Sequence, residues 1–83
     1  MKTKAVLDTN VIISGVFWKG APFEVLDAWQ KRRFLLVISP PILAALGARA
    51  DYVVSGDAAL LKIKNYQGVQ TVRPRQFLAS LPR

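Results

Sequence analysis

The sequence predicts an α/β fold built on a parallel sheet that is covered on both faces. Three observations predict it. Segments of strand length alternate with segments of helical pattern along the whole chain. The strand segments are apolar throughout rather than at alternate positions, as in strands buried from two sides. Asp8 and Asp57 each follow one of them at its carboxyl end, and ligands of parallel α/β sheets bind beyond the carboxyl ends of the strands.

The elements follow in order. Lys4–Leu7 is a short apolar strand ending at Asp8. Val11–Trp18 suits either a buried helix or a second strand; its length, together with a family resemblance given below, favours the helix. Lys19-Gly20-Ala21-Pro22 is a break, with Pro22 placed for a first helical turn. From there Pro22, Val25, Leu26 and Trp29 share one helical face, with Glu24, Asp27 and Lys31 opposite. Lys31-Arg32-Arg33 closes this helix at the negative end of its dipole. Phe34–Ile38 is the second strand. Ser39 caps a short helix begun by Pro40 or Pro41 and stopped by Gly47. Tyr52–Ser55 is the third strand, Ala58–Lys64 a helix, Asn65–Gly68 a turn and Val69–Val72 the last strand. Pro74 opens a terminal helix that packs Phe77, Leu78 and Leu81.

Composition narrows the chemistry. With 83 residues the chain is a single domain, and such chains bury only roughly 60–65% of their unfolded surface. There is no cysteine and no histidine, which excludes disulfides, thiolate or imidazole metal sites and Ser-His or Cys-His catalysis. Oxygen ligands remain, so a metal would be Mg²⁺ or Mn²⁺. An apolar fraction of 52% exceeds what so small an interior holds, which points to a subunit interface. No apolar run is long enough to span a membrane, and Asp8 interrupts what would otherwise resemble a signal segment; the expected location is cytoplasmic. Twelve Lys or Arg against five acids give a net charge of +7, which favours a polyanionic partner.

Asp8 and Asp57 share one crevice if their strands are neighbours, and a divalent cation would relieve their repulsion. Asn10 can fix one carboxylate by hydrogen bonding, and Ser14 and Ser55 add neutral oxygens. The competing reading is that Asp57 is simply the N-cap of the helix that follows.

Val6-Leu7-Asp8-Thr9-Asn10-Val11-Ile12-Ile13-Ser14-Gly15 resembles the opening motif of PIN domains, in the subgroup of toxin components of toxin–antitoxin pairs. Ala50–Leu61 resembles that family's later motif, and Val69–Leu78 its usual ending. The resemblance implies a three-layer α/β/α sandwich and Mg²⁺- or Mn²⁺-dependent cleavage of single-stranded RNA. Asp8 matches the family's first acid and Asp57 its last, as catalytic and metal-binding residues; Thr9, Asn10 and Ser55 match the polar residues around them. A toxin role would bring an antitoxin partner.

The chain departs from that pattern. The family carries a Glu within the stretch here written Ser39–Leu46, where Ala45 stands, or Ala44 in a shifted register. A further Asp and its helical surroundings have no counterpart, because Leu46-Gly47-Ala48-Arg49-Ala50 runs directly into Asp51. Two of four acids are missing. Pro40 to Ala50 is still long enough for a parallel crossover of roughly 10–12 residues, so a four-stranded parallel sheet is expected. The deletion would leave Phe34–Ile38 as an unprotected edge. A homodimer or higher oligomer is therefore expected through this edge or through apolar faces near Trp18 and Trp29. Arg32, Arg33, Arg49, Arg73 and Arg75 are candidate phosphate contacts, with Arg73 and Arg75 preferred because they follow the last strand on the side of Asp8 and Asp57. Glu24, Asp27 and Asp51 read as solvated structural acids. The resulting expectation is a metal-dependent endoribonuclease with a depleted site. Its alternative is an inactive oligomeric remnant that binds nucleic acid or protein.

Overall fold

The computed structural model describes residues 2–38 and 49–81. The described elements run β1 (Lys4–Leu7), α1 (Thr9–Phe17), α2 (Ala21–Gln30), β2 (Leu35–Ile38), β3 (Tyr52–Val54), α3 (Ala58–Ile63), β4 (Asn65–Tyr66), β5 (Val69–Val72) and α4 (Pro74–Ser80). The α/β class is as expected, and Val11–Phe17 is helical. The expectations placed on Ser39, Pro40, Pro41, Ala44, Ala45 and Gly47 lie outside the described residues.

The strands form one sheet in the order β2-β1-β3-β5-β4. β1 pairs in parallel with β2 and with β3, and β3 with β5. Ala5, Val6 and Leu7 of the inner strand β1 are fully buried, which is why that segment is apolar at every position.

The sheet is nevertheless not the purely parallel four-stranded one expected. β4 pairs antiparallel with β5 and makes the sheet five-stranded and mixed. Gln67 and Gly68 between these strands both have positive φ, 50° and 88°, the backbone of a two-residue hairpin turn matched to strand twist. The Asn65 side-chain oxygen accepts from the Gly68 backbone N–H at 3.2 Å and holds the turn.

Alternation along the strands builds two apolar clusters. Ala5, Leu7 and Val54 pack with Val11, Val25, Ala28, Phe34, Phe77 and Leu81. Val6, Val53 and Val69 gather with Ala50, against Val37. Phe77 organises the first cluster. Phe34 meets its ring edge-on at 4.8 Å between centroids, and Tyr52 does so at 5.5 Å. Each such pair contributes about 0.5–1.5 kcal/mol beyond its buried area.

The buried stripe of α2 is Val25 and Ala28, with Leu26 partly covered. Trp29, expected on that face, is exposed; the small Ala28 lets α2 sit close to its neighbours and leaves the indole at the margin. Ile13, Val16, Phe17 and Trp18 of the α1 segment are exposed as well. No helix among the described residues is long and apolar enough to cross a membrane.

Gly15 explains how α1 and α2 approach each other. A Cβ there would lie 2.6 Å from Leu26 Cδ1 and 2.8 Å from the Pro22 carbonyl oxygen. The backbone contact cannot yield as a flexible side chain would. Gly15→Ala is therefore expected to destabilise the fold by about 1–3 kcal/mol in urea unfolding, as overpacking does, despite alanine's better helix propensity. An unchanged or raised midpoint would contradict this packing.

Candidate functional site

Asp8, Ser55 and Asp57 form one hydrogen-bonded unit at the carboxyl ends of β1 and β3. The Asp8 backbone N–H donates to the Val54 carbonyl at 3.0 Å, and that of Ser55 donates to Val72 at 3.0 Å. Parallel pairing thus continues one residue past each strand and brings the three strand ends together. The Ser55 hydroxyl, with no solvent exposure, donates to Asp8 Oδ2 at 2.8 Å. The same oxygen accepts the Asp57 backbone N–H at 3.0 Å.

Both carboxylates also cap helices. Asp8 Oδ1 accepts from the Asn10 N–H at 3.2 Å and starts α1. Asp57 Oδ1 accepts from the Ala59 N–H at 2.8 Å and starts α3. The capping reading of Asp57 is therefore correct, and it applies to Asp8 too. Asp8 is half-buried with both oxygens engaged. Asp57 is exposed, and among the described residues only its Oδ1 accepts a hydrogen bond.

Beside this unit runs an open groove of about 320 Å³. Its wall is mostly apolar, and Asn10 and Ser14 of α1, Gly56 of the β3–α3 connection, and Arg73 and Arg75 at the start of α4 contribute to it. Of the predicted residues, Asn10, Ser14, Arg73 and Arg75 therefore converge. Thr9 is exposed on the first turn of α1 and does not line the groove, and neither do Arg32, Arg33 and Arg49. Arg73 is extended, with φ −77° and ψ 158°, as a residue before proline should be. Its backbone N–H donates to Gln76 Oε1 at 3.0 Å, which turns the chain from β5 into α4.

The remaining acids are structural. Asp51 Oδ2 accepts from the Lys4 backbone N–H at 2.9 Å at the opposite end of the sheet. Asp27 pairs with Lys31 at 2.9 Å on the exposed side of α2, a contact worth about 0.3–0.5 kcal/mol at most.

No group of three or more His, Cys, Asp or Glu side chains among the described residues could hold a metal ion. Asp8 has both oxygens engaged and Asp57 one among the described residues, so any Mg²⁺ or Mn²⁺ here would need water and phosphate for its other ligands. The two acids do not fit a cage made by the protein alone.

Ser55 is the residue whose weight sequence reasoning underestimated, naming it only as a nearby oxygen. Its position between an apolar strand and Gly56-Asp57 signals a strand end but not a buried bridge. No family model matches the chain, and no curated protein or solved structure matches it.

Ser55→Ala strips the Asp57 N–H of its acceptor and Asp8 Oδ2 of its donor. The expected cost is about 1–3 kcal/mol in chemical unfolding. A loss below about 0.5 kcal/mol would show that water substitutes for the hydroxyl.

Proposed function

We propose that the chain is a reduced PIN-like domain, related to the toxins of toxin–antitoxin pairs, that takes single-stranded RNA into the groove beside Asp8 and Asp57. The reading carries with it the three-layer α/β/α architecture of that family. One observation supports it above the others: Asn10, Ser14, Arg73 and Arg75 line a single groove next to the Asp8–Ser55–Asp57 unit. Guanidinium groups bind phosphate through paired N–H donors. Asn10 and Ser14 add neutral polar groups, and the chain's net charge of +7 attracts a polyanion before contact.

RNA binding is the primary activity in this reading, and cleavage is secondary. Asp8 and Asp57 would hold Mg²⁺ or Mn²⁺ together with a substrate phosphate. When bound, such an ion supplies charge stabilisation on the phosphate and a more acidic water. Ser55 fixes the Asp8 carboxylate, and Asp57 keeps one oxygen uncommitted among the described residues. Arg73 and Arg75 orient the backbone and balance its charge.

Replacing both Arg73 and Arg75 by Ala is expected to weaken binding of a labelled single-stranded RNA about tenfold or more at low salt, with a shallower salt dependence. Affinity unchanged by the double substitution removes the groove from the proposal. With Mn²⁺ present, cleavage by the parent and none by Asp8→Asn supports the nuclease component. Equal background from both leaves a binding module.

The reading includes self-association. Among the described residues β2 terminates the sheet on its side, and Leu35 is 49% exposed, Trp18 72% and Trp29 42%. A homodimer or larger assembly through the Phe34–Ile38 edge or these apolar faces would bury them. Sedimentation velocity at micromolar concentration should show a species heavier than 9.2 kDa; a monomer alone would remove this component.

A further inference from the structure

A second groove, of about 560 Å³, opens on the β4–β5 side of the fold. Lys64, Asn65, Gln70, Thr71, Arg73 and Gln76 contribute to its lining. Arg73 lines both grooves, so they meet at one residue. We propose that this second groove is a separate phosphate subsite, which takes the continuation of the RNA strand past Arg73 towards Lys64. The inference rests on the function proposed above and extends it to a second site on the same strand.

The polar side chains lining this groove can all donate to an anion. Among the described residues, no acid lines it. Asn65 commits its side-chain oxygen to the Gly68 N–H at 3.2 Å, and Gln76 commits its own to the Arg73 N–H at 3.0 Å. Each amide keeps its NH₂ as a donor, with one of the two lone pairs of its oxygen already used. Two amide donors, an ammonium and a guanidinium thus share one concave surface. The first groove differs, because carboxylates stand beside it.

Lys64 carries a second, independent indication. It ends α3 with φ 61° and ψ −55°, a conformation that side-chain-bearing residues rarely adopt and glycine adopts freely. Its carbonyl accepts from the Thr71 N–H at 2.8 Å, so the neighbouring strand holds the strained backbone in place. Helix termination alone would be served better by glycine. The strained residue is also the cation at the far end of the groove, and such strain gathers at functional positions.

The test uses the whole chain and fluorescently labelled single-stranded RNAs of roughly 4 and roughly 12 nucleotides, lengths that bracket small and large single-strand footprints. Lys64→Gly removes the charge and relieves the backbone, so its thermal midpoint should equal or exceed the parent's. It should bind the longer RNA about fivefold more weakly, with the salt slope reduced by about 0.7 for one lost phosphate contact. Its affinity for the shorter RNA should not change. Lys64→Arg should restore the longer RNA's affinity, whereas Arg75→Ala should weaken both lengths. Parental affinity of Lys64→Gly for the longer RNA overturns the second subsite alone, as does an equal loss for both lengths. A parent protein that binds neither RNA overturns the first groove's function and this inference with it.

Discussion

The hydroxyl of Ser55 is the point on which the functional end of the molecule depends. It is completely buried, it donates to Asp8, and it accepts from the backbone of Asp57. Either partner left unpaired there would carry the full desolvation cost of a polar group. The bridge forms only when β1 and β3 are in register, since Asp8 N–H must reach Val54 while Ser55 N–H reaches Val72. Sheet register and site geometry are therefore one constraint. A one-residue slip would turn Ser55 to the opposite face and separate the two acids.

The strands were legible because burial on two faces demands apolar residues at every position, and Ala5–Leu7 and Val53–Val54 show that burial. The two acids were legible because each ends an apolar run. The β4–β5 hairpin was not legible. Its first strand has two residues, and its turn is Gln67-Gly68 rather than the Asn-Gly or Asp-Gly pair that carries a strong signal. The α2 face was half legible. Helical periodicity identified Val25 and Leu26, but it cannot decide whether the neighbouring Ala28 or Trp29 turns inward when another helix approaches closely. Lys64 escaped notice because nothing in a Lys-Ile-Lys-Asn stretch announces a positive φ; the conformation is imposed by the β5 strand that binds its carbonyl.

The core leaves part of the apolar surface uncovered. A core organised by Phe77, with Phe34 and Tyr52 set edge-on around it, closes one side of the sheet. The apolar residues beyond its reach, Val16, Phe17 and Trp18, remain largely exposed. Their helix is anchored instead by contacts below it: Val11 enters the core, and Gly15 admits Leu26 and the Pro22 carbonyl. The same approach of α1 to the start of α2 places Asn10 and Ser14 on the wall of the first groove, opposite Arg73 and Arg75. Helix packing and groove formation share a single backbone contact.

The two carboxylates at the strand ends are largely committed to hydrogen bonds within the chain. In a site dedicated to a cation, acids converge and keep their oxygens for the ion. Here Asp8 spends one oxygen on a helix cap and the other on Ser55, while Asp57 spends one on its own cap. Those bonds occupy lone pairs that a cation would otherwise use. The guanidiniums of Arg73 and Arg75 have no such commitment to a carboxylate among the described ion pairs. In the reading proposed above, with Asp8 fully committed and Asp57 keeping one oxygen among the described residues, a phosphate chain rather than a bare metal ion would be the first ligand at this end of the sheet. A divalent cation can then enter as the companion of a bound phosphate, which supplies the ligands that two partly committed carboxylates lack.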